Sequence, residues 1–171
     1  GSMSLGEIGM LTALRVFQSE FENEQASLGL LPVGVDGDTL NIIISADPFQ
    51  KHFDDIRSAI GFKNGERPDL LVFSVRFMSG LPVQMQITPV EVKARSDSMS
   101  AKERASALGQ ASNFSLFIKE IQTKANTVEL WGIAWRNLLA TMLDYGFRVY
   151  GQLDKFMKHN EWAEKHSQIL K

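Results

Sequence analysis

Pro68-Asp69-Leu70-Leu71-Val72-Phe73 and, further on, Pro89-Val90-Glu91-Val92-Lys93 bracket the turn signal Ser79-Gly80-Leu81-Pro82. Two apolar, β-branched runs around a Gly-Pro turn predict a β-hairpin. With the hairpin centred on Gly80, Asp69 and Glu91 are equidistant from the centre and face each other. Directly opposed residues of an antiparallel pair share a face, with Cβ atoms about 5 Å apart. Side chains alternate along a strand, so Lys93 joins Glu91 on that face. Two carboxylates and an ammonium therefore meet at one end of the hairpin. A bulge at Pro89, which cannot donate to a ladder, would shift the pairing by one residue.

The other positions on this face are Leu71, Phe73, Val75 and Phe77 on one strand and Val83, Met85, Ile87 and Pro89 on the other. An apolar face that turns charged at its end either reaches solvent there or holds a polar site. A lone Glu-x-Lys fits the first reading. An Asp at matching register favours the second.

The chain of 171 residues is long enough for one domain with a core, expected over residues 4–171, with Gly1-Ser2-Met3 read as a tag remnant. Its 44% hydrophobic and 22% charged residues are ordinary for a globular domain. The absence of cysteine excludes disulfides, thiolate zinc sites, cysteine-ligated iron–sulfur clusters and cysteine nucleophiles, and fits a cytoplasmic setting. No apolar run approaches the ~18 residues of a membrane span, and no secretory leader is apparent, so no membrane partner is expected. With a net charge of −2, any nucleic-acid footprint has to be local. His52, His159 and His166 lack metal-ligand spacing.

Along the chain, Met10, Leu14, Phe17, Phe21 and Leu28 fall on one stripe, predicting a helix from Leu5 to Leu28. Glu24 lies on the margin of that stripe and Glu20 further round. Thr39–Ile44 reads as a buried strand, and Asp47-Pro48 opens a short helix with Phe49, Phe53, Ile56 and Ile60 inward. A loop from Gly61 to Pro68 leads into Asp69. Ser100-Ala101-Lys102-Glu103 is a capping box that opens a helix to Lys124. On that helix Ala107, Phe114, Phe117, Ile118 and Ile121 face the core, with Gln110 at its margin. Thr127–Trp135 reads as a further strand, with Trp131 and Trp135 on one face. Helices are expected over residues 137–147 and 153–170. The order implies an α/β fold with a mixed sheet.

A strand entered through Pro68-Asp69, a hairpin, Glu91-Val92-Lys93, then a helix and a strand resembles the PD-(D/E)XK nuclease superfamily. The resemblance implies a restriction-endonuclease-like αβββαβ core with a mixed central sheet, laid over residues 5–135, and a helical extension over 136–171. Gln110-Ala111-Ser112-Asn113-Phe114 is similar to the Gln-x-x-x-Tyr of the RecB-like and phage-exonuclease branch, with Phe in place of Tyr. The resemblance further implies that Asp69, Glu91 and the carbonyl of Val92 bind Mg²⁺ or Mn²⁺. Glu24, with Glu20 in reserve, would be the helix-one acid of the metal site. Lys93 would orient the attacking water and Gln110 would bond an acid, a water or the substrate. Lys63, Arg67, Arg95, Lys102 and Arg104 flank the acids and are the candidate phosphate contacts. The expected activity is metal-dependent hydrolysis of DNA, by a module of a larger repair, restriction or defence protein or complex, with a homodimer or larger protein partner as its setting. A non-catalytic nucleic-acid- or protein-binding domain of the same fold is the alternative, and an unrelated α/β domain with incidental acids is a third reading.

Overall fold

The computed structural model describes residues 4–22, 39–95, 97–150 and 159–169. In chain order the elements are α1 (Leu5–Glu22), β1 (Thr39–Ser45), a 3-10 turn (Asp47–Phe49) running into α2 (Gln50–Ile60), β2 (Leu70–Arg76), β3 (Gln84–Val90), α3 (Ala101–Thr127), α4 (Glu129–Tyr150) and α5 (His159–Ile169). The protein is mixed α/β, with a three-stranded sheet in the order β1-β2-β3.

β2 is the central strand, and all its residues but Arg76 are buried. Its apolar run is what a strand covered on both faces requires. The odd-numbered side is the larger core. Leu71, Phe73 and Val75 pack there with Ile42 and Ile44 of β1, Phe53 of α2, Phe114, Phe117 and Ile121 of α3, and Met142 and Leu143 of α4. Phe53, Phe114 and Phe117 meet edge-on, with centroids 5.1 to 6.3 Å apart. Each such pair adds about 0.5–1.5 kcal/mol beyond its buried area. On the even-numbered side Ile43, Leu70 and Val72 pack against Phe17, Met10 and Ala13 of α1. The sheet is thus covered by α1 on one face and by α2, α3 and α4 on the other.

The hairpin register is the expected one. Leu70 pairs with Val90, Leu71 with Pro89 and Arg76 with Gln84, without a shift at Pro89. Gly80 at the tip has φ 72°, a left-handed conformation that a side chain resists. The capping box is complete: the Ser100 hydroxyl accepts from the Glu103 amide, and Glu103 accepts from the Ser100 amide. Gly9 brings α1 against the segment that follows β3, where a Cβ on residue 9 would collide with Ala94 Cβ.

The expected strand at Thr127–Trp135 is not a strand. Thr127 ends α3, Val128 is a single extended residue, and α4 starts at Glu129. Among the described residues the sheet is therefore antiparallel throughout, not mixed. The apolar spacing Trp135, Leu138, Met142, Phe147 is helical and carries the segment into the core, overriding the local β propensity of Val128 to Trp135. The helix expected from Asn137 is the interior of α4. Of the expected extension of α1 to Leu28, residues 23–28 lie outside the described residues, as do residues 153–158 and 170 of the expected last helix.

Candidate functional site

Asp69 stands one residue before β2 and Glu91 one residue after β3. Continuing the Leu70–Val90 register places them opposite each other. The Asp69 carbonyl accepts from the Ala46 amide at 3.0 Å, which fixes the entry to β2 against the end of β1. Its carboxylate reaches across the hairpin, where Oδ2 accepts from the Val92 amide at 2.7 Å. That bond holds the chain in place just beyond β3, where Glu91 and Lys93 project.

The Glu91 side chain is 8% exposed. Its Oε1 accepts from Lys93 Nζ at 2.5 Å, while Oε2 is buried with no hydrogen-bond partner. Burial pushes the Glu91 carboxyl up from its ordinary pKa. The neighbouring charges of Asp69 and Glu66 push the same way, and the bond and charge of Lys93 oppose them. A buried carboxylate with one unsatisfied oxygen and two like charges nearby is short of positive charge.

Glu66 is a component that the sequence did not flag. Its Oε2 accepts from Asn113 Nδ2 on α3 at 3.0 Å, which ties the loop before β2 to the helix after β3. Arg57 was missed as well. This buried α2 side chain donates to Asp54 Oδ1 at 3.0 Å and to the carbonyls of Gly65 at 3.1 Å and Glu66 at 2.7 Å. Its guanidinium lies 4.9 Å from the Phe117 ring centroid and 5.8 Å from that of Phe114. Arg57 thereby anchors the loop that delivers Asp69. One signal was readable: Arg57 is four residues from Phe53 and three from Ile60, so it sits on the apolar stripe of α2.

Gln110 is half-buried on α3, which packs beside β3, and its Oε1 is buried without a hydrogen bond. Phe114, which the resemblance sets in place of a Tyr, lies fully inside the core. Val92 packs with its side chain towards α1. Glu24 lies outside the described residues, and so does the side chain of Glu20. Among the cations, Arg67 is paired with Asp47 at 2.8 Å and Arg95 with Glu103 at 2.5 Å. Lys63, Lys102 and Arg104 are exposed. The structure thus gathers Asp69, Glu91 and Lys93 at one end of the hairpin and adds Glu66, while two of the five expected phosphate contacts are held by carboxylates.

The donor set suits a hard divalent cation. Asp69 and Glu91 present oxygen ligands from facing positions, and Glu91 Oε2 lacks a proton donor. Among the described residues no three acidic or histidine side chains converge as a metal cluster. Two carboxylates are the complement of an ion such as Mg²⁺, which keeps several of its waters. An open groove of about 410 Å³ lies at the other end of the hairpin, lined by Phe77, Leu81, Val83 and Lys165, away from these acids. No helix among the described residues is long and apolar enough to cross a membrane. The chain matches no protein-family model, no curated protein and no solved structure.

Proposed function

We propose that this chain is a metal-dependent nuclease domain of the PD-(D/E)XK type, hydrolysing DNA phosphodiester bonds within a larger repair, restriction or defence assembly. The observation that carries the reading is Glu91, nine-tenths buried, with one carboxylate oxygen lacking a partner, opposite Asp69 and bonded to Lys93. The helix, three strands and helix of the αβββα part of the family core are compatible with it. The proposal rests on the hairpin end and not on a fourth strand, since α4 occupies that stretch of the chain.

Asp69 and Glu91 would hold Mg²⁺ or Mn²⁺, which when bound supplies charge neutralisation at the phosphate and acidifies a water. Asp69 would serve two ends at once, with Oδ2 securing Val92 and Oδ1 as the oxygen for the metal. Lys93 places its ammonium against Glu91, where it can orient a water and meet charge developing on the phosphate. Glu66, steadied by Asn113, borders the same acids and tunes Glu91 by its charge. Gln110 offers an unpaired amide oxygen from α3 to a water or a substrate hydroxyl. Exposed Lys63, Lys102 and Arg104 are the available cations for the phosphate backbone.

The test is cleavage of linear and circular DNA, single- and double-stranded, with Mg²⁺, with Mn²⁺ and with EDTA, by the chain and its Asp69→Asn and Lys93→Ala variants. Cleavage that needs the metal and disappears in both variants supports the proposal. Binding of DNA without cleavage, unchanged in the variants, would make this a binding domain instead.

A further inference from the structure

The groove at the tip of the hairpin lies between residues 77–83, which join β2 to β3, and α5. Phe77 lines it from the margin of the larger core. Leu81 and Val83 line it from the turn, and Leu81 is 61% exposed. Lys165 and Gln168 line it from α5. Among the described residues that line the groove, Lys165 is the one that carries a charge, and there is no acid.

Lys165 is half-buried, and its Nζ lies over the Phe77 ring, 4.2 Å from the centroid. An ammonium has three N–H donors and no acceptor. The ring face meets one side of it and leaves the other donors without an anion. No carboxylate among the described residues pairs with Lys165. Its neighbour Glu164 is exposed and accepts instead from Gln168 Nε2 at 3.3 Å. A cation held in place over an aromatic ring, partly removed from water and lacking a counter-charge, is complementary to an anion. The exposed Leu81 asks for an apolar cover beside it.

The groove holds about 410 Å³, within the roughly 300–1,000 Å³ of ligand pockets. Such pockets enclose most of their ligand, whereas this groove is open along its length. An open groove suits side chains that reach in from a backbone left outside. We propose that it is a docking site for a segment of a partner polypeptide in which a bulky aliphatic residue and an acidic residue stand close together. The aliphatic side chain covers Leu81 and Val83, and the carboxylate pairs with Lys165. In an extended segment, residues two apart share a face, so aliphatic-x-acid is the simplest pattern that fits. The proposal is independent of the nuclease reading, since the groove and the acids lie at opposite ends of the hairpin.

The probe is the peptide acetyl-Gly-Leu-Gly-Glu-Gly-amide, titrated into the full isotope-labelled chain and followed by proton–nitrogen correlation spectra. So short a ligand in an open groove is expected to bind at about 1 mM, with shifts centred on residues 77–83 and 165–168. Replacing its Glu by Gln, or Lys165 by Ala, should weaken binding roughly fivefold, the worth of a partly exposed ion pair. Leu81→Ser, at an exposed position on the opposite wall, should weaken it as well with the rest of the spectrum unchanged. Lys165→Glu should reverse the preference, so that acetyl-Gly-Leu-Gly-Lys-Gly-amide binds better than the Glu peptide. The absence of shifts at these residues up to about 10 mM peptide overturns the proposal. So does equal binding of the Gln and Glu peptides, or a preference that Lys165→Glu leaves in place. Decanoate that binds the groove more tightly than the peptide would assign it to a lipid carboxylate and overturns the proposal too.

Discussion

Asp69 makes one bond that can be separated from any chemistry it performs. Asp69→Ala deletes the acceptor of the Val92 amide, 2.7 Å from Oδ2. Hydrogen bonds to charged groups contribute about 1.5–3 kcal/mol. The bond is only part-buried, so water replaces it in part, and losing Asp69 also relieves its repulsion of Glu91. The expected net loss is about 1–2 kcal/mol, at and below the lower end of that range. For a chain of this length that is a fall in Tm of about 2–8 °C. Asp69→Asn keeps an amide oxygen in the acceptor position and removes only the charge. Its stability should lie within about 0.5 kcal/mol of wild type in urea denaturation. In DNA cleavage the two variants should be equally deficient, because a neutral amide is a poor ligand for a hard cation. The two readouts therefore diverge for Asn and coincide for Ala. If Asp69→Asn unfolds as easily as Asp69→Ala, the bond to Val92 is not what holds the end of β3. If Asp69→Asn still cleaves, Asp69 is no metal ligand.

Glu91 makes stability depend on pH. Its folded pKa is raised, so just above the ordinary carboxylate range the folded chain holds more protons than the unfolded one, and stability falls as pH rises through that window. Glu91→Gln removes this titration, so Tm measured between about pH 4 and 8 should decline less steeply than in wild type; an identical slope would count against a buried, charge-starved carboxylate. Arg57→Ala strips the donors from the carbonyls of Gly65 and Glu66 and opens space beside Phe117, at a cost of about 2–4 kcal/mol in urea denaturation. Arg67→Ala breaks only a pair with the exposed Asp47 and should cost less than about 1 kcal/mol. Equal losses in the two variants would mean that Arg57 does not anchor the loop.

The hairpin was legible because strand periodicity and a single turn glycine leave little choice of register. A shift by one residue would have sent Leu71, Phe73 and Val75 to the α1 side, away from the larger core. The helix that opens at Ser100 was legible for a similarly local reason, a reciprocal cap written into four residues. The segment from Thr127 to Trp135 was not. Trp131 and Trp135 are four apart, a spacing that shares a face in a strand and also on a helix. Periodicity there is silent, and β-rich composition pointed the wrong way. Only the continuation through Leu138 and Met142 decides for a helix. At the site, Asp69, Glu91 and Lys93 could be placed together because one hairpin carries all three. Glu66 and Arg57 could not, because their roles come from a loop meeting α2 and α3. Contacts between distant segments leave no spacing to read.

The close approach of α1 to the segment after β3 ties two distant positions into one allowance. Gly9 and Ala94 share room for a single methyl group. Alanine at residue 9 would press on the neighbour of Lys93, whereas the same change in a chain carrying Ala94→Gly would meet only the residue 94 backbone, at ordinary contact distances of 3.4 and 3.5 Å. Substitutions at these two positions should therefore be judged as a pair. In a randomised library, a side chain gained at residue 9 is expected to appear with one lost at residue 94, and each change alone should be selected against.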